Sequence, residues 1–224
     1  MSTSGRNAHD QGEAVARGPL ARWRTVDLVT AAMLGVAFGV AYWGWAAAYT
    51  AIEPAFTAVP PLKGVLGGPW LIAGVVAGLV VRRPGAALLA ELLAANVEFL
   101  LGNAWGVSTM IAGTLQGLGV ELVLALLLYR RFGPAVAALG AALAAVLETA
   151  YEYGAYDYAT TFGTGGTLVY LLSFVVSGAL VAGVGGWLLV RALARTGALA
   201  AFPPGRERAL ERDRGLRPGA APAR

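Results

Sequence analysis

The sequence predicts an all-α integral membrane protein, six transmembrane helices in one bundle with both termini cytoplasmic, and three observations predict it. Of 224 residues, 57% are hydrophobic and only 13% charged, too little charge to clothe a water-soluble surface. The mean hydropathy of +0.63 is concentrated in blocks, several of which reach the ~20 residues that cross a hydrocarbon core, against about 12 for a helix of a soluble protein. Finally, sixteen of the seventeen Lys and Arg fall on one side of those blocks, with Lys63 alone opposite.

The elements follow in order. Residues 1–23 are small and polar and read as a disordered cytoplasmic tail. Residues 24–202 form the transmembrane domain, with spans at 26–49, 66–81, 85–101, 107–129, 134–153 and 167–191. Residues 203–224, rich in Arg, Ala, Gly and Pro, read as a basic, solvated cytoplasmic tail. The third span is the most polar, carrying Glu91, Asn96 and Glu98. Arg22 and Arg24 precede span one, Arg82 and Arg83 join spans two and three, Arg130 and Arg131 join four and five, and Arg191 ends span six. An arginine-rich side retained by both chain ends needs an even number of crossings, so count and orientation support each other.

Several function classes are disfavoured. The chain has no cysteine and a single histidine, His9, in the polar tail, so thiolate or imidazole metal sites and a histidine base have no material in the spans. There is no phosphate-cradling GxxxxGK[ST] loop, no GxSxG elbow and no HExxH pair. The N-terminus does not read as a cleavable signal, because a long polar stretch precedes an apolar run too long for an h-region. The basic residues sit at membrane boundaries and form no face with interleaved aromatics, so nucleic acid is not an expected partner. No cofactor is implied.

The side opposite the arginines has another character. Glu53, Glu98, Glu148, Glu152 and Asp157 fall there against Lys63, together with Tyr49, Phe56, Trp70, Trp105, Tyr151, Tyr153, Tyr156, Tyr158 and Phe162. An acidic, aromatic mouth suits an organic cation through charge pairing and cation–π contact; an interfacial aromatic belt is the alternative. Carboxylates inside a span cost about 2.5 kcal/mol or more and each needs a reason. Glu91 and Glu98, seven residues apart, share a face of span three. Asn103 and Gln116 supply the donors and acceptors that an aminopyrimidine edge requires, or serve as interhelical ties. Glu148, Tyr151 and Glu152 share the outer face of span five. Glu121 lies in the inner half of span four, where a structural role is expected. Ala31, Gly35 and Gly39 recur every fourth residue of span one, a small-residue stripe for close helix approach, read here as the docking face for an external membrane partner.

Two stretches carry a family likeness. RRPGAALLAELLAANVEFLLGN from Arg82 to Asn103, followed by GTLQGLGVELVLA from Gly113, resembles the YkoE-like family, the thiamine or hydroxymethylpyrimidine substrate-binding (S) components of energy-coupling factor (ECF) transporters. SGALVAGVGG from Ser177 and RTGAL from Arg195 are similar as well, and the resemblance runs over most of residues 24–202. It implies a six-helix S component that captures a vitamin from outside and docks, through the span-one stripe, onto a transmembrane coupling subunit driven by two ATPase subunits. It carries over Glu98, Asn103 and Gln116 as ligand contacts, with Glu91 and Glu121 as structural or binding positions. Residues 148–165 do not align closely with the family pattern, so Glu148, Tyr151, Glu152 and the aromatic Trp105 rest on the physical reading. Thiamine, a permanent cation, ranks ahead of neutral hydroxymethylpyrimidine.

Two other classes compete with this reading. A self-sufficient ion- or proton-coupled secondary transporter would use Glu91, Glu98 and Glu121 as a relay. A purely structural subunit would bind no vitamin at all. An enzyme is the weakest class, since no nucleophile–base pair is visible.

Overall fold

A computed structural model describes residues 22–215. His9 and the terminal stretches 1–21 and 216–224 lie outside the described residues. Among those described the chain is helical throughout, with no strand. In chain order it forms α1 (Thr25–Ile52), a run of 3₁₀ turns (Glu53–Phe56, Pro60–Leu66, Gly68–Leu71), α2 (Ile72–Val81), α3 (Ala86–Leu101), α4 (Ser108–Leu126), α5 (Pro134–Ala155), a single turn α6 (Tyr158–Thr161), and α7 (Gly163–Ser177). A π-helical stretch (Gly178–Gly185) then joins α7 to α8 (Gly186–Thr196), and α9 (Pro203–Gly215) follows.

Four helical stretches, Thr25–Phe56, Ser108–Leu126, Pro134–Ala155 and Gly163–Thr196, are long and apolar enough to cross a bilayer; a fifth is reached if Pro60–Leu66 and Gly68–Val81, bent by 40°, count as one span. The remaining expected span, 85–101, is α3. Its 16 residues rise only about 24 Å, short of a ~30 Å hydrocarbon core.

Short helices that begin inside a bundle leave first-turn N–H groups without partners, and neighbouring side chains must supply them. At the start of α2, the Ala73 N–H donates to Tyr42 Oη of α1 at 2.8 Å and the Gly74 N–H to Glu91 Oε2 of α3 at 2.5 Å. At the start of α3, Glu121 of α4 receives the N–H groups of Gly85 (2.6 Å) and Ala87 (3.1 Å), and the Tyr129 hydroxyl. A carboxylate there also meets the positive end of the α3 dipole.

The small-residue stripe of α1 faces inward, which corrects its reading as a docking face. Ala31, Gly35 and Gly39 are buried, and the partner they approach is α3. A Cβ on Gly35 would stand 2.7 Å from Leu93 Cβ, and one on Gly39 would stand 2.5 Å from Val97 Cβ. Close backbone approach therefore serves this chain's own packing. The exposed face of α1 carries Val29, Met33, Val36 and Val40 instead. The same device joins α4 to α5, where a Cβ on Gly119 would fall 2.4 Å from Ala144 Cα.

Both described ends of the chain meet the same end of the bundle. Trp23 Nε1 donates to the Pro84 carbonyl at 3.2 Å, the Arg24 guanidinium lies over Phe202, and the Arg82 guanidinium stacks 4.3 Å from the Phe132 ring. Residues 203–215, expected as a solvated tail, form a helix held to this end. Phe202, Pro204 and Gly205 are buried, and Glu207 takes a bidentate ion pair from Arg82.

Candidate functional site

At the other end of the bundle, α1, the 3₁₀ run, α3, α4, α5 and α7 enclose a cavity of about 440 Å³, within the range of small-molecule sites. Six of the seven substrate-contact residues expected from the sequence line it: Glu98, Trp105, Gln116, Glu148, Tyr151 and Glu152. They come together because α3 and α5 each place a carboxylate face toward α4. Glu98 is 1% exposed, Gln116 5% and Glu148 8%.

Glu98, Glu148 and Glu152 are each held by a neutral donor. Trp70 Nε1 donates to Glu98 Oε1 at 3.2 Å, Gln116 Nε2 to Glu148 Oε2 at 2.8 Å, and the Tyr170 hydroxyl to Glu152 Oε2 at 2.8 Å. Lys63, the single cation of the lining, is engaged at the rim by Glu53 at 2.9 Å. Among the described residues none of Glu98, Glu148 and Glu152 has an ion-pair partner.

Aromatic rings complete the walls. Tyr49, Trp70 and Trp105 meet edge to face with centroids 5.4–5.5 Å apart, the preferred arrangement of their quadrupoles. A second group joins Tyr158 to Phe162 at 4.6 Å and to Tyr170 at 5.1 Å. Ser108, the first residue of α4, bridges the Tyr151 and Tyr156 hydroxyls at 2.8 and 2.9 Å. Burial pushes the phenols of Tyr156 and Tyr158 up, so both present neutral hydroxyls to the cavity. The arrangement can enclose a flat molecule, stack on its faces, and offer carboxylates and one amide to its edges.

Three expected residues stand elsewhere. Asn103, read as a ligand contact, is absent from the lining. Its Oδ1 instead receives the N–H groups of Trp105 and Gly106 (3.0 and 2.8 Å), and its Nδ2 donates to Thr109 at 2.7 Å. It shapes the loop that aims Trp105, in the manner of an Asx turn. Glu91 shares a face with Glu98 but lies deeper, fully buried on the α2 amide, and Glu121 caps α3; neither lines the cavity. Conversely Tyr42, Tyr170, Phe174 and Ser108 line it without having been singled out. Tyr170 and Phe174 are one turn apart, but an aromatic pair inside an apolar run is indistinguishable from core packing by sequence.

Over residues 26–147 the chain matches the sequence profile of a family described as "ABC-type cobalt transport system, permease component". It is 31% identical over 194 residues, 86% of this chain and 95% of the relative, to a Bacillus subtilis (strain 168) protein named as an HMP/thiamine permease protein, YkoE. A crystal structure of an S-component of ECF transporter superposes with a TM-score of 0.83 at 30% identity, covering 89% of this chain and 100% of that one.

Proposed function

The chain belongs to the YkoE-like family of ECF-transporter S components, and from that premise we propose that it captures thiamine, or its hydroxymethylpyrimidine precursor, in the cavity of Glu98, Gln116, Glu148 and Glu152. The observation that carries the reading is the set of three carboxylates held only by neutral donors between aromatic walls. A permanent thiazolium cation would supply the missing charge, a flat aminopyrimidine would stack on the rings, and its amino and ring-nitrogen edge would meet Gln116 and its neighbours. Neutral hydroxymethylpyrimidine would leave the acidic excess uncompensated, so thiamine ranks first. A bare metal ion fits less well: among the described residues no three His, Cys, Asp or Glu gather as donors.

The same proposal places the cavity on the outer face of a cell-membrane protein crossing six times, with α3 as a short third crossing and both termini cytoplasmic. The positive-inside distribution supports it, as does the meeting of Trp23, Pro84, Arg82 and Phe202 at one end of the bundle. The chain itself is not an enzyme; a transmembrane coupling subunit and two ATPase subunits would drive release inward. A proton relay through Glu91, Glu98 and Glu121 finds less support, because Glu91 and Glu121 are both committed to backbone N–H groups.

The test is titration of the purified protein in detergent with thiamine and with hydroxymethylpyrimidine, followed by tryptophan fluorescence, with Glu98→Gln alongside. Saturable thiamine binding that weakens in the variant is expected. A folded protein that binds neither compound would sink the proposal.

A further inference from the structure

A second cleft, of about 220 Å³, lies between α8, α9 and the turn before α5. It belongs to the opposite end of the bundle: Trp70 lines the cavity and Arg82 lines the cleft, twelve residues and roughly 18 Å further along the chain. Its charged lining sets four guanidinium groups, those of Arg82, Arg191, Arg195 and Arg208, against the two carboxylates of Glu207 and Glu211.

Those carboxylates are already engaged. Glu207 holds Arg82, with Nη2 to Oε2 at 2.9 Å, and Glu211 holds Arg208 at 3.0 Å. Arg191 and Arg195 are left, one helical turn apart on α8, both exposed and without a carboxylate partner among the described residues. The Arg191 guanidinium lies 4.8 Å over the Trp187 ring, which fixes its plane toward the cleft. Two positioned guanidinium groups one turn apart form a site for a phosphate group, whose oxygens accept their forked donors.

The setting favours one source of phosphate. The cleft sits at the end of the apolar Gly163–Thr196 rod, and beside Trp187 that rod exposes Leu188 and Leu189. A basic cleft bordered by an apolar helix face, at a membrane boundary, accommodates a headgroup within and an acyl chain along the helix. We infer that the cleft of Arg191, Arg195 and Trp187 binds a phosphate-bearing anion, presented as the headgroup of an anionic phospholipid. The site is separate from the vitamin cavity and does not depend on what that cavity binds.

The test is native mass spectrometry of the full chain in detergent, titrated in parallel with short-chain phosphatidylglycerol, phosphatidylcholine of the same chain length, and inorganic phosphate. Phosphatidylglycerol adducts are expected at concentrations where phosphatidylcholine gives none. The double variant Arg191→Gln/Arg195→Gln should weaken them by about tenfold or more, while Arg130→Gln/Arg131→Gln, an equal loss of charge outside the cleft, should leave them unchanged. Displacement of the lipid by inorganic phosphate at matching concentration would support the anion site but make free phosphate its source. Equal retention by the Arg191/Arg195 variant, equal loss in the Arg130/Arg131 variant, or equal binding of phosphatidylcholine would overturn the proposal. Should the double variant not fold, Glu211→Gln tests the opposite sign: freeing Arg208 must tighten phosphatidylglycerol binding, and unchanged or weaker binding refutes the site.

Discussion

Gln116 Nε2 and Glu148 Oε2 stand 2.8 Å apart, a single bond that ties α4 to α5 and leaves the second Glu148 oxygen without a hydrogen-bond partner among the described residues, within a cavity rich in aromatic rings. If the cavity holds a cation, Glu148→Gln removes one of three carboxyl groups that no basic side chain pairs while keeping a carbonyl for Gln116 to bond. Thiamine affinity should fall by about tenfold, near 1.4 kcal/mol, and that of neutral hydroxymethylpyrimidine by much less. Titration of both ligands checks this. Equal losses for the two would point to packing rather than charge.

The fluorescence signal itself has an address. Of the six tryptophans, Trp70 and Trp105 line the cavity and touch each other, with centroids 5.4 Å apart. Trp70→Phe and Trp105→Phe together should remove most of the ligand-induced change, whereas Trp187→Phe, at the far end, should preserve it. A full response from the double variant would place the ligand elsewhere.

How much of this could be read beforehand depended on how costly each residue is in its setting. Glu98, Glu148 and Glu152 stood out because carboxylates are expensive in apolar runs, and the structure gathers all three in one cavity. Tyr42 and Tyr170 did not, since a tyrosine among Leu and Val looks like core until its hydroxyl is seen to accept the Ala73 N–H or to donate to Glu152. The stripe of Ala31, Gly35 and Gly39 announced close packing but not its direction, because a four-residue repeat of small side chains serves a neighbour in the same chain and a foreign helix equally well. Asn103 reads as a ligand contact in the sequence, whereas in the fold its oxygen takes the amides of its own turn and its Nδ2 donates to the Thr109 hydroxyl. The docking of α9 on the bundle was not legible because its composition is polar and its anchors, Phe202 and the Arg82–Glu207 pair, lie outside any apolar repeat.

The inward direction of the α1 stripe has a measurable consequence. Gly39→Leu must push against Val97 Cβ and the Ala94 carbonyl, 2.5 and 2.7 Å from where a Cβ would stand. Overpacking of this kind costs typically 1–3 kcal/mol, so the isolated protein in detergent should melt several degrees lower. A substitution to Leu on the exposed side, Val36→Leu, should be nearly neutral. Were the stripe an outward docking surface, Gly39→Leu would leave the melting temperature of the isolated chain unchanged and impair only assembly with a partner.

Glu121 separates structure from binding most sharply. Its carboxylate receives the Gly85 and Ala87 N–H groups and the Tyr129 hydroxyl, and it does not line the cavity of Glu98 and Glu148. Glu121→Ala strands those donors at a part-buried helix start, which costs about 1–3 kcal/mol. For a chain of this size that is a drop of about 2–4 °C in melting temperature per kcal/mol. Glu121→Gln keeps one acceptor oxygen but loses the charge at the α3 N-terminus, so it should fall between the parent and Glu121→Ala. In both variants thiamine affinity should stay within about twofold of the parent once the protein is kept below its new midpoint, since 1.4 kcal/mol is needed for a tenfold change. Thermal melts paired with titrations decide the matter. Lost affinity with an unchanged melting temperature would return Glu121 to the binding site and revive a chain of carboxylates running through α3 and α4.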